Sequence, residues 1–548
     1  MLDPWLRRLT RQEALCRRVV GRLAAVFLRQ SGHRRLGFAR LADYTRERLG
    51  LGAREVQELA RVATRLDELP PLARAFEAGV LSWAHARLLT RVATPDNAAA
   101  RVECAAGLTV RELAASLRSE APATDRAAGR AAEASEDDVI DGEPAVRFRI
   151  ACPRRVRAAW RDAVELARRM AGEEFAVWEA AEMIAAEGLA ARPGPAEVAG
   201  PEPEPWRASG AVGELPNHVD AHWLPVADAA PTDVAHLTEG LESLAPRALD
   251  ARMRAALQVM ARTDWQLGRL MRLFLNLRLE RVFGFRSGSA YVTERLGCSM
   301  RKVRALVALE RCGFTSPELL DAYRAGHLSW LRALTLVPVI GESTGAAWVA
   351  RAQAVTLRRL ADEVDWALAG RNGLEPVAPP PLDADLHAQP RQMCSPGAWA
   401  PCDANVAFVG PSAVVALLRT AVTAFSGPAG FPWHGFERLL RHVITEWEAQ
   451  PRHRDPIFAR DGWRCAVPAC TSRRNLHDHH LLFRSRGGGN ENDNRVTVCV
   501  WHHLHGIHRG RVRAWGQAPA CVHWELGVEP ARPPLLRTCG DRYLGGQP

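Results

Sequence analysis

The sequence predicts a mainly α-helical protein with a small α+β domain at its C-terminus. Three observations support this fold class: apolar residues recur at helical spacing through much of the chain, one long helical segment occurs twice, and strand-like runs with clustered histidines follow near the end. At 548 residues, the chain exceeds the length at which a single hydrophobic core stops growing, so several domains are expected.

An internal duplication organises the helical region. Gly21–Trp83 aligns without gaps with Gly268–Trp330 at a constant offset of 247 residues, and both segments end in the same Leu-Ser-Trp. Within each copy, runs such as VQELARVATRL place apolar residues three and four apart, which predicts amphipathic helices. The repeated pairs Glu47-Arg48 and Glu294-Arg295 are interpreted as structural ion pairs or solvated helix faces in preference to a functional site.

A second, weaker sequence similarity is found after each copy. Pro144–Val164 and Asn405–Val422 each show an alternating strand pattern, then a proline, then a helical pattern. Acidic and Pro/Ala-rich stretches between these pieces lack the apolar density that ordering requires, so flexible linkers are expected. The predicted divisions are helical copy 1 (1–118), an acidic linker (119–143), the strand–helix piece of copy 1 (144–190), a Pro/Ala-rich linker (191–246), helical copy 2 (247–369), a Pro-rich linker (370–404), the strand–helix piece of copy 2 (405–450), a small α+β domain (451–530) and a C-terminal tail (531–548).

The charge distribution favours an anionic partner for the C-terminal end. The net charge is +10, and Pro451 to Pro548 contain 15 Arg against 8 Asp and Glu, together with 9 of the 18 histidines. This distribution is expected of a module that contacts phosphates. The N-terminus carries charge throughout, and no apolar run approaches the length of a membrane span, so we expect a cytoplasmic protein with no membrane attachment.

Short elements near the C-terminus carry the residues with recognisable chemistry. Leu476–Leu482 predicts a strand that ends in a histidine pair, Arg495–Val498 predicts a second strand, and Val500–His508 predicts a short helix. A hairpin followed by a helix would allow the histidines of the first strand and of the helix to converge at their junction.

This segment resembles the HNH endonuclease family, whose module has a ββα-metal fold. His480 is followed by LLFRSRGG, similar to the family's loop, and His480, Asn494 and His503 are separated by 14 and 9 positions, the spacings of the family pattern. The resemblance covers only the last part of the chain. The duplicated helical region also resembles large N-terminal domains of unknown function in many bacterial HNH proteins.

The resemblance implies a role for each of these residues. His480 would be the general base that takes a proton from the attacking water, which suits an imidazole because its pKa lies near working pH. His479, where many members carry Asp, and His503 would bind one catalytic divalent ion, and His508 would be a further ligand or a phosphate contact. Asn494 would hydrogen-bond across the hairpin loop and hold His480 in place. Histidine at position 479 leaves the identity of the ion open among Mg, Mn, Ni and Zn.

A second set of residues could hold a structural zinc. Many HNH proteins bind zinc through two cysteine pairs, and the resemblance implies such a site at Cys465, Cys470, Cys499 and His502, with histidine in place of the last cysteine. Three buried thiols and an exposed histidine remain the alternative. Because His502 and His503 are adjacent, the sequence also leaves open which of them faces which ion.

The hairpin loop carries two candidate DNA contacts. Arg484 and Arg486 lie where a phosphate backbone would approach, so a contact is preferred to a purely solvated role. The sequence therefore predicts metal-dependent hydrolysis of DNA within the strand. Two alternatives stay open: a zinc-stabilised nucleic-acid-binding protein that does not cleave, and a protein-interaction platform built on the duplicated helices, which could also mediate self-association.

Overall fold

The computed structural model describes residues 2–120, 139–140, 143–171, 176–190, 233–369, 377–384, 386, 402, 404–426, 431–449, 455–519 and 521–545. Most of the three predicted linkers (119–143, 191–246 and 370–404) lies outside these ranges. Within the described ranges, no helix combines enough length and apolar character to cross a membrane.

Most of the described residues are helical, and short antiparallel sheets are concentrated near the C-terminus, which confirms the predicted fold class at this level. The helices are α1 (Leu2–Arg29), α2 (Gly32–Arg35), α3 (Leu41–Tyr44), α4 (Ala53–Glu68), α5 (Pro70–Glu77), α6 (Trp83–Val92), α7 (Ala98–Ala106), α8 (Val110–Glu120), α9 (Arg154–Ala171), α10 (Val177–Ala190), α11 (Pro246–Asn276), α12 (Gly288–Ala290), α13 (Met300–Thr315), α14 (Pro317–Arg324), α15 (Trp330–Leu336), α16 (Gly345–Ala354), α17 (Leu357–Ala369), α18 (Ser412–Ala424), α19 (Pro432–Glu448) and α20 (Pro456–Arg460). The strands are β1 (Val139–Ile140), β2 (Glu143–Cys152), β3 (Ala404–Pro411), β4 (Leu476–His480), β5 (Arg495–Cys499), β6 (Val512–Gln517), β7 (Cys521–Leu526), β8 (Leu536–Cys539) and β9 (Arg542–Tyr543).

The two helical copies pack against each other within one chain, with α1 against α11 at the centre. Their contacts are reciprocal. The hydroxyl of Tyr44 donates to Asp250 at 3.0 Å, and the hydroxyl of Tyr291, the equivalent residue, donates to Asp3, the equivalent of Asp250, at 2.9 Å. Because the same residue meets the same partner in both directions, as across a homodimer interface, the copies are related by an approximate two-fold axis.

A buried ion pair lies in this interface between the copies. Arg48 contacts Asp250 at 2.6 Å, and the two side chains are only 4% and 2% exposed. The counterpart pair of Arg295 and Asp3, at 3.1 Å, leaves the arginine side chain 40% exposed. Both arginines of the repeated Glu-Arg pairs therefore stabilise the packing of one copy on the other.

The two strand–helix pieces also pair with each other. Strands β2 and β3 form an antiparallel ladder from Ala145↔Pro411 to Cys152↔Ala404. The apolar faces of α9, α10, α18 and α19 cover this ladder and form a core of their own. Phe148 and Phe408 stack across the two strands with ring centroids 5.3 Å apart. Each half of the weaker duplication thus completes the core of the other.

The end of the linker predicted at 191–246 is folded. Short 3₁₀ turns at Ala235–Thr238 and Leu241–Ser243 lie along α1, where Gln30 donates to the carbonyl of Leu244 at 3.0 Å. This stretch carries leucines that pack into the core of copy 1, so it has the apolar side chains that ordering requires.

The C-terminal region contains the hairpin β4–β5 and a four-stranded sheet, β6–β9. Its apolar residues share a core with copy 1, since Val498 and Trp524 belong to the same buried cluster as Phe27. The segment predicted as a tail, 531–548, contains β8 and β9. Leu536 and Tyr543 of these strands are buried in the core. The region is therefore continuous with the helical body.

The two aspartates of the reciprocal pairs form a matched test of this interface. We expect Asp250→Ala to lower the free energy of unfolding by about 3–5 kcal/mol, because Arg48 then stays buried without its partner. Asp3→Ala should cost clearly less, because Arg295 can be solvated. Urea unfolding of the full chain followed by circular dichroism measures both losses, and equal losses would contradict the assignment of the buried pair.

Two candidate metal centres

A group of three cysteines and one histidine comes together between the hairpin and the helical body. Cys465, Cys470, Cys499 and His502 are all buried, and one ligand atom from each lies within 4.8 Å of the others. The first two lie in a tight loop in which the amide of Cys470 donates to the carbonyl of Val467 at 3.1 Å. Cys499 ends β5, and His502 begins the π-helical segment that follows. The group could hold a metal ion such as zinc, as the sequence predicts.

The orientation of His502 is set by contacts of both ring nitrogens. Its Nδ1 lies 3.4 Å from Sγ of Cys465 and 3.3 Å from Sγ of Cys499. Its Nε2 donates to the backbone carbonyl of Gly37 at 3.1 Å, so in the neutral ring the lone pair is on Nδ1, which faces the sulfurs. A hydrogen bond of this kind on the second ring nitrogen is typical of histidines that bind metals.

The electrostatics of the four residues favour the metal-binding form at Cys499 but the protonated form at Cys470 and His502, whose protons a bound cation would displace. Burial alone would lower the pKa of His502, but the neighbouring sulfurs of Cys465 and Cys499 raise it to about 10. Hydrogen bonds from Cys465 and Cys470 lower the pKa of Cys499. The thiolate form, which binds zinc, is therefore stabilised at Cys499.

Residues of both helical copies anchor the cysteine loop. Nη1 of Arg358 donates to the carbonyls of Cys465 at 2.8 Å and of Cys470 at 2.6 Å. The hydroxyl of Thr471 donates to Asp43 in copy 1 at 2.8 Å. The sequence analysis missed Gly37, Arg358 and Asp43, because nothing in their local sequence indicates partners so far along the chain.

A second group consists of three histidines. One ring nitrogen from each of His479, His503 and His508 lies within 4.8 Å of the others, with His479 buried and His508 exposed. His479 comes from β4, and the other two come from the helical turn after β5. That turn, His502–Ile507, is a π-helix, and the amide of His508 donates to the carbonyl of His503, five residues earlier. An α-helix completes a turn every 3.6 residues. A π-helix has more residues in each turn, and this brings residues five apart, such as His503 and His508, to one side.

These three imidazoles form a donor set suited to a divalent cation. Burial lowers the pKa of His479 to about 3, and the charges that His503, His508 and His480 can carry lower it in the same direction. Burial, then His508 and His477, lower the pKa of His503. Neutral imidazoles offer a free lone pair, and a set of nitrogen ligands suits Zn, Ni or Cu better than Mg.

His480 lies outside this three-histidine group. It is the last residue of β4, and its Nε2 contacts Oδ1 of Asn490 at 2.9 Å. Asn494 makes hydrogen bonds across the hairpin loop, and its partners are backbone groups of that loop. The side chain of Asn494 accepts from the amide of Leu482 at 2.8 Å and donates to the carbonyl of Gly489 at 2.9 Å. The side-chain amide of Asn494 therefore closes the loop that carries Asn490.

The two loop arginines are exposed. Arg484 and Arg486 form a short 3₁₀ turn, and the guanidinium of Arg486 lies 5.4 Å from the ring centroid of Phe483. Among the described residues, neither arginine has a carboxylate within ion-pair distance. Both guanidinium groups are thus free to meet an anion.

One histidine of the site was missed by the sequence analysis. Nδ1 of His477 lies 2.8 Å from Nδ1 of His503. The available signal was its position two residues before His479, which places both side chains on the same face of β4. This contact engages Nδ1 of His503 and leaves Nε2 for the three-histidine group.

Comparisons with known proteins identify no relative: no family model, no curated protein and no solved structure matches this chain.

We expect the purified protein to carry tightly bound zinc, and Cys470→Ser to lose it. Elemental analysis gives the zinc content, and hydrogen exchange should show reduced protection around Gly37, because the bond from His502 holds that loop. Cys104→Ser, at an exposed cysteine far along the chain, is the matched control and should keep both zinc and protection. Unchanged zinc content in Cys470→Ser would contradict the site.

His477→Ala should weaken divalent metal binding at the three histidines about 10–100-fold, because the ring of His503 loses the contact that orients it. Titration with Co²⁺ followed by its visible absorption measures the affinity without any cleavage assay. His505→Ala, at an exposed histidine of the same helical turn, is the control. Equal affinities for His477→Ala and the parent chain would rule out the orienting role.

Proposed function

We propose that this chain is a metal-dependent endonuclease of the HNH type that hydrolyses phosphodiester bonds in DNA. One observation carries the proposal: ring nitrogens of His479, His503 and His508 lie within 4.8 Å of one another where an antiparallel hairpin meets a short helix. The order of hairpin then helix is that of a ββα-metal module, and the neighbouring Cys3His group supports the same interpretation.

Three chemical tasks would be divided among the residues of this site. A divalent ion held by the three imidazoles would polarise the scissile phosphate and stabilise the departing 3′ oxygen. His480 would remove the proton from the attacking water. An amide oxygen can only accept, so the contact with Asn490 puts the hydrogen of His480 on Nε2 and leaves Nδ1 as the basic nitrogen.

The loop between the strands would hold the DNA backbone. Arg484 and Arg486 are exposed and have no carboxylate partner among the described residues, so their charge is available to phosphates. Asn494 fixes this loop through its bonds to Leu482 and Gly489. A fixed loop positions both arginines and Asn490, and through Asn490 the general base, before substrate binds.

One observation favours a second candidate, a zinc-stabilised nucleic-acid-binding protein that does not cleave. His480 is not part of the three-histidine group, and its Nε2 is already engaged by Asn490. DNA binding that is unaccompanied by metal-stimulated cleavage would support this candidate over the endonuclease.

The proposal is tested by nicking of supercoiled plasmid with the full chain, since the C-terminal region shares its core with copy 1. We expect cleavage that depends on added Mg²⁺, Mn²⁺, Ni²⁺ or Zn²⁺. His480→Ala should reduce the rate about 10²–10⁴-fold, as expected for loss of a general base.

Two further variants separate the roles in this assay. His503→Ala should lose the cleavage that added metal stimulates, whereas His505→Ala should cleave like the parent chain. Zinc content measured on each variant verifies that the Cys3His group is intact. Parent-like nicking by His480→Ala or His503→Ala would refute the endonuclease proposal.

A further inference from the structure

The approximate two-fold axis gives each helical copy an equivalent loop after its first long helix. The loop is 30–39 in copy 1 and 277–286 in copy 2. Both loops have left-handed residues at the same positions: Ser31 and Arg278 have φ of 49° and 50°, and Gly37 and Gly284 have φ of 86° and 78°. The turn between them is α-helical in copy 1 and 3₁₀ in copy 2. The two loops therefore occupy equivalent positions, so their surroundings can be compared residue by residue.

In copy 1, the C-terminal region covers this loop. A Cβ added to Gly37 would lie 2.8 Å from the backbone nitrogen of Gly527 and 3.4 Å from the carbonyl oxygen of Arg511. The carbonyl of Gly37 accepts from His502, and Leu36 is fully buried. The loop of copy 1 thus receives protein backbone at close range.

In copy 2, the equivalent surface is bare among the described residues. A Cβ added to Gly284 would meet nothing within 4 Å. Phe283, the equivalent of Leu36, is 40% exposed, and Val282 and Leu277 are 78% and 56% exposed. We call the exposed surface of Leu277, Val282, Phe283 and Gly284 the bare face.

The apolar character of the bare face is not inherited from the covered one. Leu277 and Val282 stand where copy 1 has Gln30 and Arg35. Copy 2 therefore carries apolar side chains at two positions where the other copy is polar, although in copy 2 these positions face solvent. Contiguous exposed apolar side chains are typical of interaction sites.

The positive charges around the bare face indicate the chemistry of its partner. Arg278, Arg281 and Arg286 are exposed, and within the described ranges none of them has an ion-pair partner. A second copy of this chain would bring these arginines against their own equivalents, which like-charge repulsion disfavours. The covered loop of copy 1 receives protein backbone, so the equivalent loop fits a protein segment.

We propose that the bare face of copy 2 binds an acidic segment of a partner protein that carries apolar side chains. The partner's backbone lies over Gly284, its apolar side chains pack on Val282 and Phe283, and its carboxylates pair with the surrounding arginines. This binding does not depend on the proposed endonuclease activity.

The probe is a library of random peptides displayed on phage and selected on the full chain. We expect the enriched peptides to combine acidic with aromatic or aliphatic residues, and to bind more weakly as salt concentration rises. Phe283→Asp and Val282→Asp should each weaken the best peptide at least about tenfold, measured by fluorescence anisotropy. Arg35→Asp, at the exposed position of copy 1 equivalent to Val282, should leave its affinity unchanged.

Three results would overturn the proposal. One is the failure to enrich any peptide whose binding depends on Phe283. Another is enrichment of peptides without acidic residues. The last is a dimer of the parent chain by light scattering that becomes a monomer in Phe283→Asp, because this result assigns the bare face to a second copy. Circular dichroism of each variant verifies that the fold is retained.

Discussion

The reciprocal packing of α1 against α11 is the constraint on which the rest of the structure depends. Each copy buries an aspartate that is hydrogen-bonded by the tyrosine and arginine of the other copy, as in Asp250 with Tyr44 and Arg48. A buried carboxylate without such partners is costly, so neither copy reaches this arrangement alone. The C-terminal region then joins the same body: fully buried Arg332 of copy 2 bonds to Glu47 of copy 1 at 2.7 Å and to the hydroxyl of Tyr543 at 2.8 Å. One guanidinium thereby connects all three parts of the chain.

The two-fold arrangement is broken because, among the described residues, the C-terminal region covers only one of two equivalent surfaces. It covers the loop of copy 1, and through the carbonyl of Gly37 that copy orients His502 of the Cys3His group. The equivalent loop of copy 2 has left-handed residues at the same positions but no such cover among the described residues. The two equivalent loops thus differ in their surroundings: one contacts the Cys3His group, and the other is open among the described residues.

The hairpin β4–β5 places two different donor groups side by side. Adjacent residues His502 and His503 contribute to separate groups, because successive residues of a helical turn point in different directions. The group with three sulfurs is fully buried, as is typical of closed structural sites, whereas the group of three imidazoles includes exposed His508 and is open to a ligand. Burial and ligand type therefore differ between the two groups, and the proposed function assigns a stabilising role to the first and a catalytic role to the second.

Sequence alone determined what depends on local spacing. Periodic apolar residues specified the helices, the offset of 247 revealed the duplication, and the cysteine and histidine spacings identified both donor groups. The helices and strands are local features because turn geometry and strand alternation operate over a few residues, whereas the duplication is visible because the same residues recur at a fixed offset. The bonds of Asn494 across the loop also followed from local sequence, whereas the direct contact of Asn490 with His480 did not.

Only the tertiary structure decided the contacts between distant segments. Gly37 of copy 1 and His502 are separated by 465 positions. Arg358, which donates to the cysteine loop, lies in copy 2. The structure also decided that residues 531–548 add strands to a sheet, and that one of two equivalent loops is covered. Such contacts follow from how whole segments pack, and packing leaves no periodic trace in the sequence around either partner.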